Sequence, residues 1–271
     1  MKKSSIITLC VTILVPVFCY LILKYFSDGA VVVPKKILYD DVVEKEKNGK
    51  TVTDTIWHTT RNIKLVNQMG DTVSLYDIKN SPIVIDLFFT HCASICPQLT
   101  RSMKKLQDCF KTGGSSRLKM DTSVVQFISL SIDPESDSVA QLRKYADNFD
   151  INPDNWWLLT GNKDSIYNFI FEELKLDKIV QDTIDKDFPH TSHFVLLDKD
   201  YQMRWRLGQA YNGLDTASMA MLSRDIGLLL LEKDKSKPST LFKEILSLSW
   251  LWLIIVLCVF IFIWALKRNR D

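Results

Sequence analysis

Only four histidines occur in this 271-residue chain, at positions 58, 91, 190 and 193, so a site that needs an imidazole has few candidates. A charge imbalance is also missing. The formal net charge is +2 with 24% charged residues, which names no polyanionic partner and leaves no footprint for nucleic acid. No internal repeat is visible, so nothing suggests a solenoid. The chain has no CxxC pair either: Cys92 and Cys96 have three residues between them, one more than the usual disulfide oxidoreductase. A peroxidase of the peroxiredoxin type wants a threonine three residues ahead of its reactive cysteine, and Phe89 stands there instead.

What the chain does have is two apolar ends. Ile6 to Leu23 carries no charge, and Leu246 to Leu266 is a charge-free run of 21 residues. Both approach or reach the roughly 20 residues a helix needs to cross a bilayer. Trp250 and Trp252 near one end of the second run and Trp264 near the other match interfacial belts. The first run is longer than the core of a signal peptide, and "YFSDGAV" offers no small-x-small cleavage site, so an uncleaved anchor is expected. Bulky Phe18 before Cys19 argues against a lipoprotein anchor. Lys2 and Lys3 precede the first run while Lys267, Arg268 and Arg270 follow the second, which places both tails in the cytoplasm and everything between them outside it.

The expected organisation is an N-terminal anchor over 1–24, an extracytoplasmic stalk over 25–59, one domain over 60–231, a polar linker over 232–244, a second transmembrane helix over 245–267 and a short cytoplasmic tail, 268–271. The central stretch of about 170 residues can bury a core of its own. Within it, "NIKLVNQMGDTVSLYD" reads as a hairpin turning at Met69-Gly70-Asp71. "PIVIDLFF" and "SVVQFISLSI" are continuous apolar runs of strand length, the mark of strands buried on both faces. A helix is expected from Pro97 to about Phe110, because proline is favoured in a first helical turn. Further helices are expected over "DPESDSVAQLRKYADNF", "KDSIYNFIFEEL" and "DTASMAMLSRDIGLLLLE", with a strand at "NWWLLTG" and strand, turn, strand at "SHFVLLDKDYQMRWRL". That order predicts an α/β domain of thioredoxin-like fold: a central mixed sheet flanked by helices, with an N-terminal hairpin extension.

Of six cysteines, Cys10, Cys19 and Cys258 fall in the apolar ends, where a cysteine is ordinarily a small buried hydrophobe. Cys109, late on the proposed helix beside Phe110, reads as packing. Cys92 and Cys96 are different. They bracket a strand-to-helix turn, where free amide groups and the helix dipole stabilise a thiolate. In an oxidising compartment such a pair becomes a disulfide unless it is kept reduced or metallated. Spacing alone leaves disulfide and metal clamp both open.

Among the histidines, His58 belongs to the lead-in and is expected to be solvated. His91 adjoins Cys92 and reads as structural or supporting. His193 lies inside a strand, where a packed imidazole is ordinary. His190 follows an acidic loop and precedes that strand; on pattern alone a solvated imidazole and a ligand are equally good readings.

"FTHCASICP" resembles the "FTHCPDVCP" stretch of the Sco (SenC) family, thioredoxin-like, membrane-anchored copper proteins that assist assembly of cytochrome c oxidase. "SIDPESDSVAQLRKYADNF", "WLLTG" and "HTSHFVLLDKD" look like further family blocks in the same order, so the resemblance covers roughly residues 60 to 230. It implies that Cys92, Cys96 and His190 hold copper, as Cu(I) or Cu(II), with His193 not a ligand. It also implies an extracytoplasmic copper chaperone of a bacterial inner membrane, whose partners are the copper-bearing subunit of the oxidase and other copper chaperones or thioredoxin-like reductants. The same pair could instead serve a thiol-disulfide reductase, with Cys92 and Cys96 as the redox-active residues, or a copper or redox sensor. Ala93-Ser94 in place of the frequent Pro-Asp, and a second span where the family usually has one anchor, are the two departures.

Overall fold

A computed structural model describes residues 20, 33–47, 50–110, 124–179, 191–206 and 208–232. The chain divides into two units, residues 1–230 and 231–271, and the fold below is that of the first. Both expected transmembrane runs lie outside the described residues, apart from Tyr20. Among the described residues no helix is long and apolar enough to cross a membrane.

The core is a seven-stranded mixed sheet. Its strands are β4 (Lys64–Asn67), β5 (Thr72–Ser74), β6 (Ile83–Phe88), β7 (Gln126–Ser131), β8 (Trp156–Thr160), β9 (His193–Leu197) and β11 (Tyr211–Asn212). Their spatial order is β11-β9-β6-β7-β8-β4-β5. The centre, β6-β7-β8, is parallel, and β9 and β4 flank it antiparallel. Parallel neighbours need crossovers, which α1 (Cys96–Cys109) and α2 (Val139–Asn148) supply. Every residue of β6 and β7 is buried, because helices cover both faces of these strands.

The two faces divide the core. On one, Ile85, Ile128, Leu130 and Leu159 meet Phe169, which opens a π-type turn at Phe169–Glu173 directly after α3 (Lys163–Asn168). On the other, the Phe88 ring lies 5.3 Å from that of Tyr145 on α2, and Trp156 Nε1 donates to Ser129 Oγ at 2.9 Å. Ser138 caps α2 by accepting from the Gln141 amide. A short helix α4 (Leu176–Ile179) follows the π-type turn, and α5 (Thr216–Leu231) closes the unit. The expected hairpin over 62–77 is present as β4-β5, with Gly70 at φ +90° in its turn, a conformation that suits glycine.

Residues 39–57, within the expected stalk, are ordered. They form a hairpin of β2 (Tyr39–Lys47) and β3 (Lys50–Trp57), paired from Tyr39↔Trp57 to Lys47↔Lys50. A shorter pair, β1 (Lys35–Lys36) with β10 (Arg204–Trp205), ties the chain ahead of that hairpin to the domain. His58, expected to be solvated, is buried at the hairpin's base. Its Nδ1 lies 2.7 Å from Asp40 Oδ1 and its Nε2 3.1 Å from the Glu173 carbonyl.

One close approach fixes a glycine behind the first crossover helix. A Cβ on Gly213 would lie 2.6 Å from Leu99 Cδ2 and 2.7 Å from Phe194 Cζ, both fully buried side chains. Gly213→Ala is therefore expected to cost about 1–3 kcal/mol, the range for overpacking a tight core. Urea unfolding of the two chains measures it; equal midpoints would show that the β11 loop does not press on α1.

Candidate functional site

β6 ends at Phe88, and the chain then turns through Thr90-His91-Cys92 before α1 begins at Cys96. The turn closes with the Cys92 amide donating to the Phe89 carbonyl at 3.3 Å. Pro97 occupies the first turn of α1, where its lack of an N–H costs nothing. The side chain of the capping residue Ile95 accepts no bond. Cys92 fills that role, its Sγ accepting from the Cys96 amide at 3.4 Å and lying 3.6 Å from Ser94 Oγ.

The two thiols are free and unequal. Cys92 is half-buried and Cys96 is 3% exposed. Partial burial alone would push the Cys92 thiol up, but hydrogen bonds from the Cys96 thiol and amide and from Ser94 outweigh it and bring the thiol down to about 7. Cys96 moves the other way, to about 12. Burial is the main cause, and its bond to Cys92 and the negative charges of Cys92 and Asp86 add to it. The helix N-terminus thus activates Cys92, one loop away, and leaves the thiol on its own first residue protonated.

This difference fixes a pH profile. Alkylation of Cys92 by iodoacetamide should be half-maximal near pH 7 and rise roughly tenfold from pH 6 to pH 8, since the thiolate is the nucleophile. Cys96 should stay unlabelled across that range. Mass spectrometry of each cysteine peptide separates them; a Cys92 profile still climbing steeply above pH 8 would mean that the amide does not hold the thiolate.

Behind the pair, Thr100 Oγ1 donates to the Cys96 carbonyl at 2.9 Å and accepts from Tyr145 at 2.7 Å, locking α1 to α2. Asp86 on β6 is 2% exposed, and neither carboxyl oxygen has a hydrogen-bond partner. Burial pushes it up to about 7. Ser129, its register partner on β7, opposes that, since its oxygen accepts from Trp156 Nε1 and its own proton stays free to face the carboxyl.

Cys92 and Cys96 are thus brought together as expected, while His190 lies outside the described residues. Among the described residues no group of three or more His, Cys, Asp or Glu could hold a metal. His91 is exposed, its Nδ1 3.2 Å from Thr90 Oγ1. His193 sits at the start of β9, its Nδ1 3.1 Å from Thr191 Oγ1. Cys109, expected to pack, is exposed instead and lines a groove of about 280 Å³ between α1 and α5. Sequence reasoning missed Asp86, which hides inside an apolar run, and Asp137, whose contacts come from two other segments.

The SCO1/SenC family model matches residues 54–221. This chain belongs to the SCO1/SenC family. A SCO1 protein homolog of Bacillus subtilis is 32% identical over 180 residues, covering 66% of this chain and 86% of that protein. The solved structure of a SCO1/SenC family lipoprotein from Bacillus anthracis is 28% identical with a TM-score of 0.51, covering 64% of this chain and 95% of that one. BsSco, a Sco-family cytochrome c oxidase assembly protein in which a disulfide switch has been identified, is 28% identical with a TM-score of 0.51. It covers 66% of this chain and 98% of its own. The thioredoxin-like α/β architecture of this Sco chain, with its mixed sheet and flanking helices, agrees with those neighbours.

Proposed function

We propose that this Sco chain is a membrane-anchored, extracytoplasmic copper chaperone that carries copper to the binuclear copper centre of cytochrome c oxidase. The observation that carries the reading is the thiol pair at the start of α1, with one sulfur partly exposed and held by a helix amide and the other, 3% exposed, buried beside it. Thiolates are soft donors that select Cu(I), and a third, imidazole donor from His190 suits Cu(II) as well. Two sulfurs leave coordination open for a receiving protein. Oxidation of the pair removes both donors, so loading with copper and the redox state of the thiols are linked.

The inequality of the thiols favours a second activity of the same pair: reduction of the disulfide in the oxidase subunit. An accessible, activated Cys92 paired with a buried, protonated Cys96 is the arrangement in which one thiol attacks and the other resolves. Other copper chaperones or thioredoxin-like reductants would reload or re-reduce the pair. The charge-free ends would anchor the domain on the outer side of a bacterial inner membrane, with both termini in the cytoplasm.

The test mixes full-length protein carrying one Cu(I) with the reduced, copper-free oxidase subunit, separates the two proteins and measures the copper on each. Delivery predicts that copper is recovered on the subunit; copper that stays on the donor sinks the reading. His190→Ala is expected to weaken Cu(II) binding by more than about a hundredfold, beyond the loss of an outer-shell partner, while leaving thiol exchange within about twofold, which copper titration and a disulfide-reduction assay check side by side.

A further inference from the structure

Asp137 lies between β7 and α2, fully buried, immediately before the cap residue Ser138. Four donor contacts converge on its carboxylate. The Thr90 amide reaches both oxygens, at 3.2 and 3.3 Å, the Thr90 hydroxyl donates at 2.5 Å and the Ser131 hydroxyl at 2.6 Å. A buried carboxylate is costly unless its lone pairs are taken up, and here most of the donors come from one residue of the cysteine loop. Because the Thr90 hydroxyl gives its single proton to Asp137, it can only accept from His91 Nδ1, 3.2 Å away. The two residues ahead of Cys92 are therefore both fixed by one carboxylate on a neighbouring segment. On the far side, the Cys92 sulfur meets the Cys96 amide at 3.4 Å.

From this we infer that Asp137 is a positioning residue for the thiol pair: through Thr90 it holds the loop so that Cys92 Sγ stands against the first amide of α1, favouring the reduced, copper-ready state. The inference rests on the proposed role of Cys92 and Cys96 and extends it to a residue that touches neither sulfur. Its consequence is a bias in a balanced exchange. Cys92–SH and Cys96–SH with one oxidised glutathione give the Cys92–Cys96 disulfide and two reduced glutathiones, the two protons and two electrons passing to glutathione. The hydrogen bond from the Cys96 amide to Cys92 Sγ is stronger on the left of that exchange, where the sulfur can carry a negative charge, so freeing the loop moves the equilibrium to the right. A hydrogen bond to a charged acceptor is worth about a factor of ten in an equilibrium constant.

The experiment measures that constant in glutathione buffers, by peptide mass spectrometry on full-length protein, together with the unfolding temperature. Thr90→Val and Asp137→Asn are expected to move the constant about tenfold towards the disulfide, while Thr90→Ser, which keeps the hydroxyl, stays within about twofold of wild type. Ser131→Ala should lower the unfolding temperature and leave the constant in place. If the variants lose thermal stability but keep the wild-type constant, Asp137 is a structural residue only and the inference is wrong. Should Asp137→Asn fail to fold, Thr90→Val decides between the same two outcomes. Wild type that forms no Cys92–Cys96 disulfide at any glutathione ratio would instead remove the proposed role of the pair, and the inference with it.

Discussion

Cys96→Ser is expected to trap a mixed disulfide between Cys92 and a disulfide substrate, and to abolish Cu(I) binding. The half-buried Cys92 thiolate attacks one sulfur of the substrate disulfide, forming a new S–S bond and releasing the other sulfur as a thiolate. Completion requires Cys96 to lose its proton and attack Cys92 Sγ, which expels the second substrate sulfur. With serine at 96 that second step has no nucleophile, so the mixed species accumulates and shows on a non-reducing gel. Cys92→Ser should give no mixed species through Cys96, which is 3% exposed and which burial keeps protonated. Both variants should lose Cu(I) affinity by more than about a hundredfold, beyond what removal of an outer-shell partner costs. A mixed disulfide that forms through Cys96 in the Cys92→Ser chain would reverse the assigned roles.

Asp86→Asn is expected to stabilise the protein above about pH 4, by a margin that grows until about pH 7. An unfolded aspartate ionises near the ordinary 3.8, whereas burial carries the folded group to about 7. Between those values the folded chain holds a proton that the unfolded chain has released, so stability falls as pH rises through the window. At about 1.4 kcal/mol for each tenfold change in proton affinity, the loss is on the order of 4 kcal/mol at most. Asparagine keeps the shape of the protonated carboxyl without the charge, so the two proteins should unfold together near pH 4 and separate progressively towards pH 7. Urea midpoints at several pH values measure the gap; one that does not change with pH would show that Asp86 does not titrate in this window. The same charge helps hold Cys96 protonated, so in this fold β6 carries a stability cost directly behind the thiol pair.

The centre of the fold was legible and its periphery was not, for a physical reason. β6 and β7 are buried on both faces and therefore read as unbroken apolar runs, and Pro97 marked the start of α1 to within one residue. The hairpin over 39–57 escaped because its described side chains are mostly exposed, so no alternation appears in "YDDVVEKEK" or "KTVTDTIW". Asn48-Gly49 was the one signal that could have found it, being a favoured hairpin dipeptide. The helix expected over 163–174 changes to a π-type turn at Phe169, which propensities do not foresee. At the site, the cysteine spacing announced a pair but could not say which sulfur the helix amide would meet. That choice depends on the loop geometry, and the loop in turn depends on Asp137, 47 positions beyond Thr90. Likewise His58 looked solvated because Asp40 and Glu173, which enclose it, are far apart in sequence.

The proposed function requires Cys92 and Cys96 to form one site for copper and for thiol redox chemistry. The most direct measurement is a Cu(I) titration of full-length protein against a coloured chelator, run on the reduced and the Cys92–Cys96 oxidised forms. The expected result is one Cu(I) held per reduced chain, against none for the oxidised form or for the double serine variant. Equal binding by the oxidised and reduced forms, or by wild type and the double variant, would contradict it.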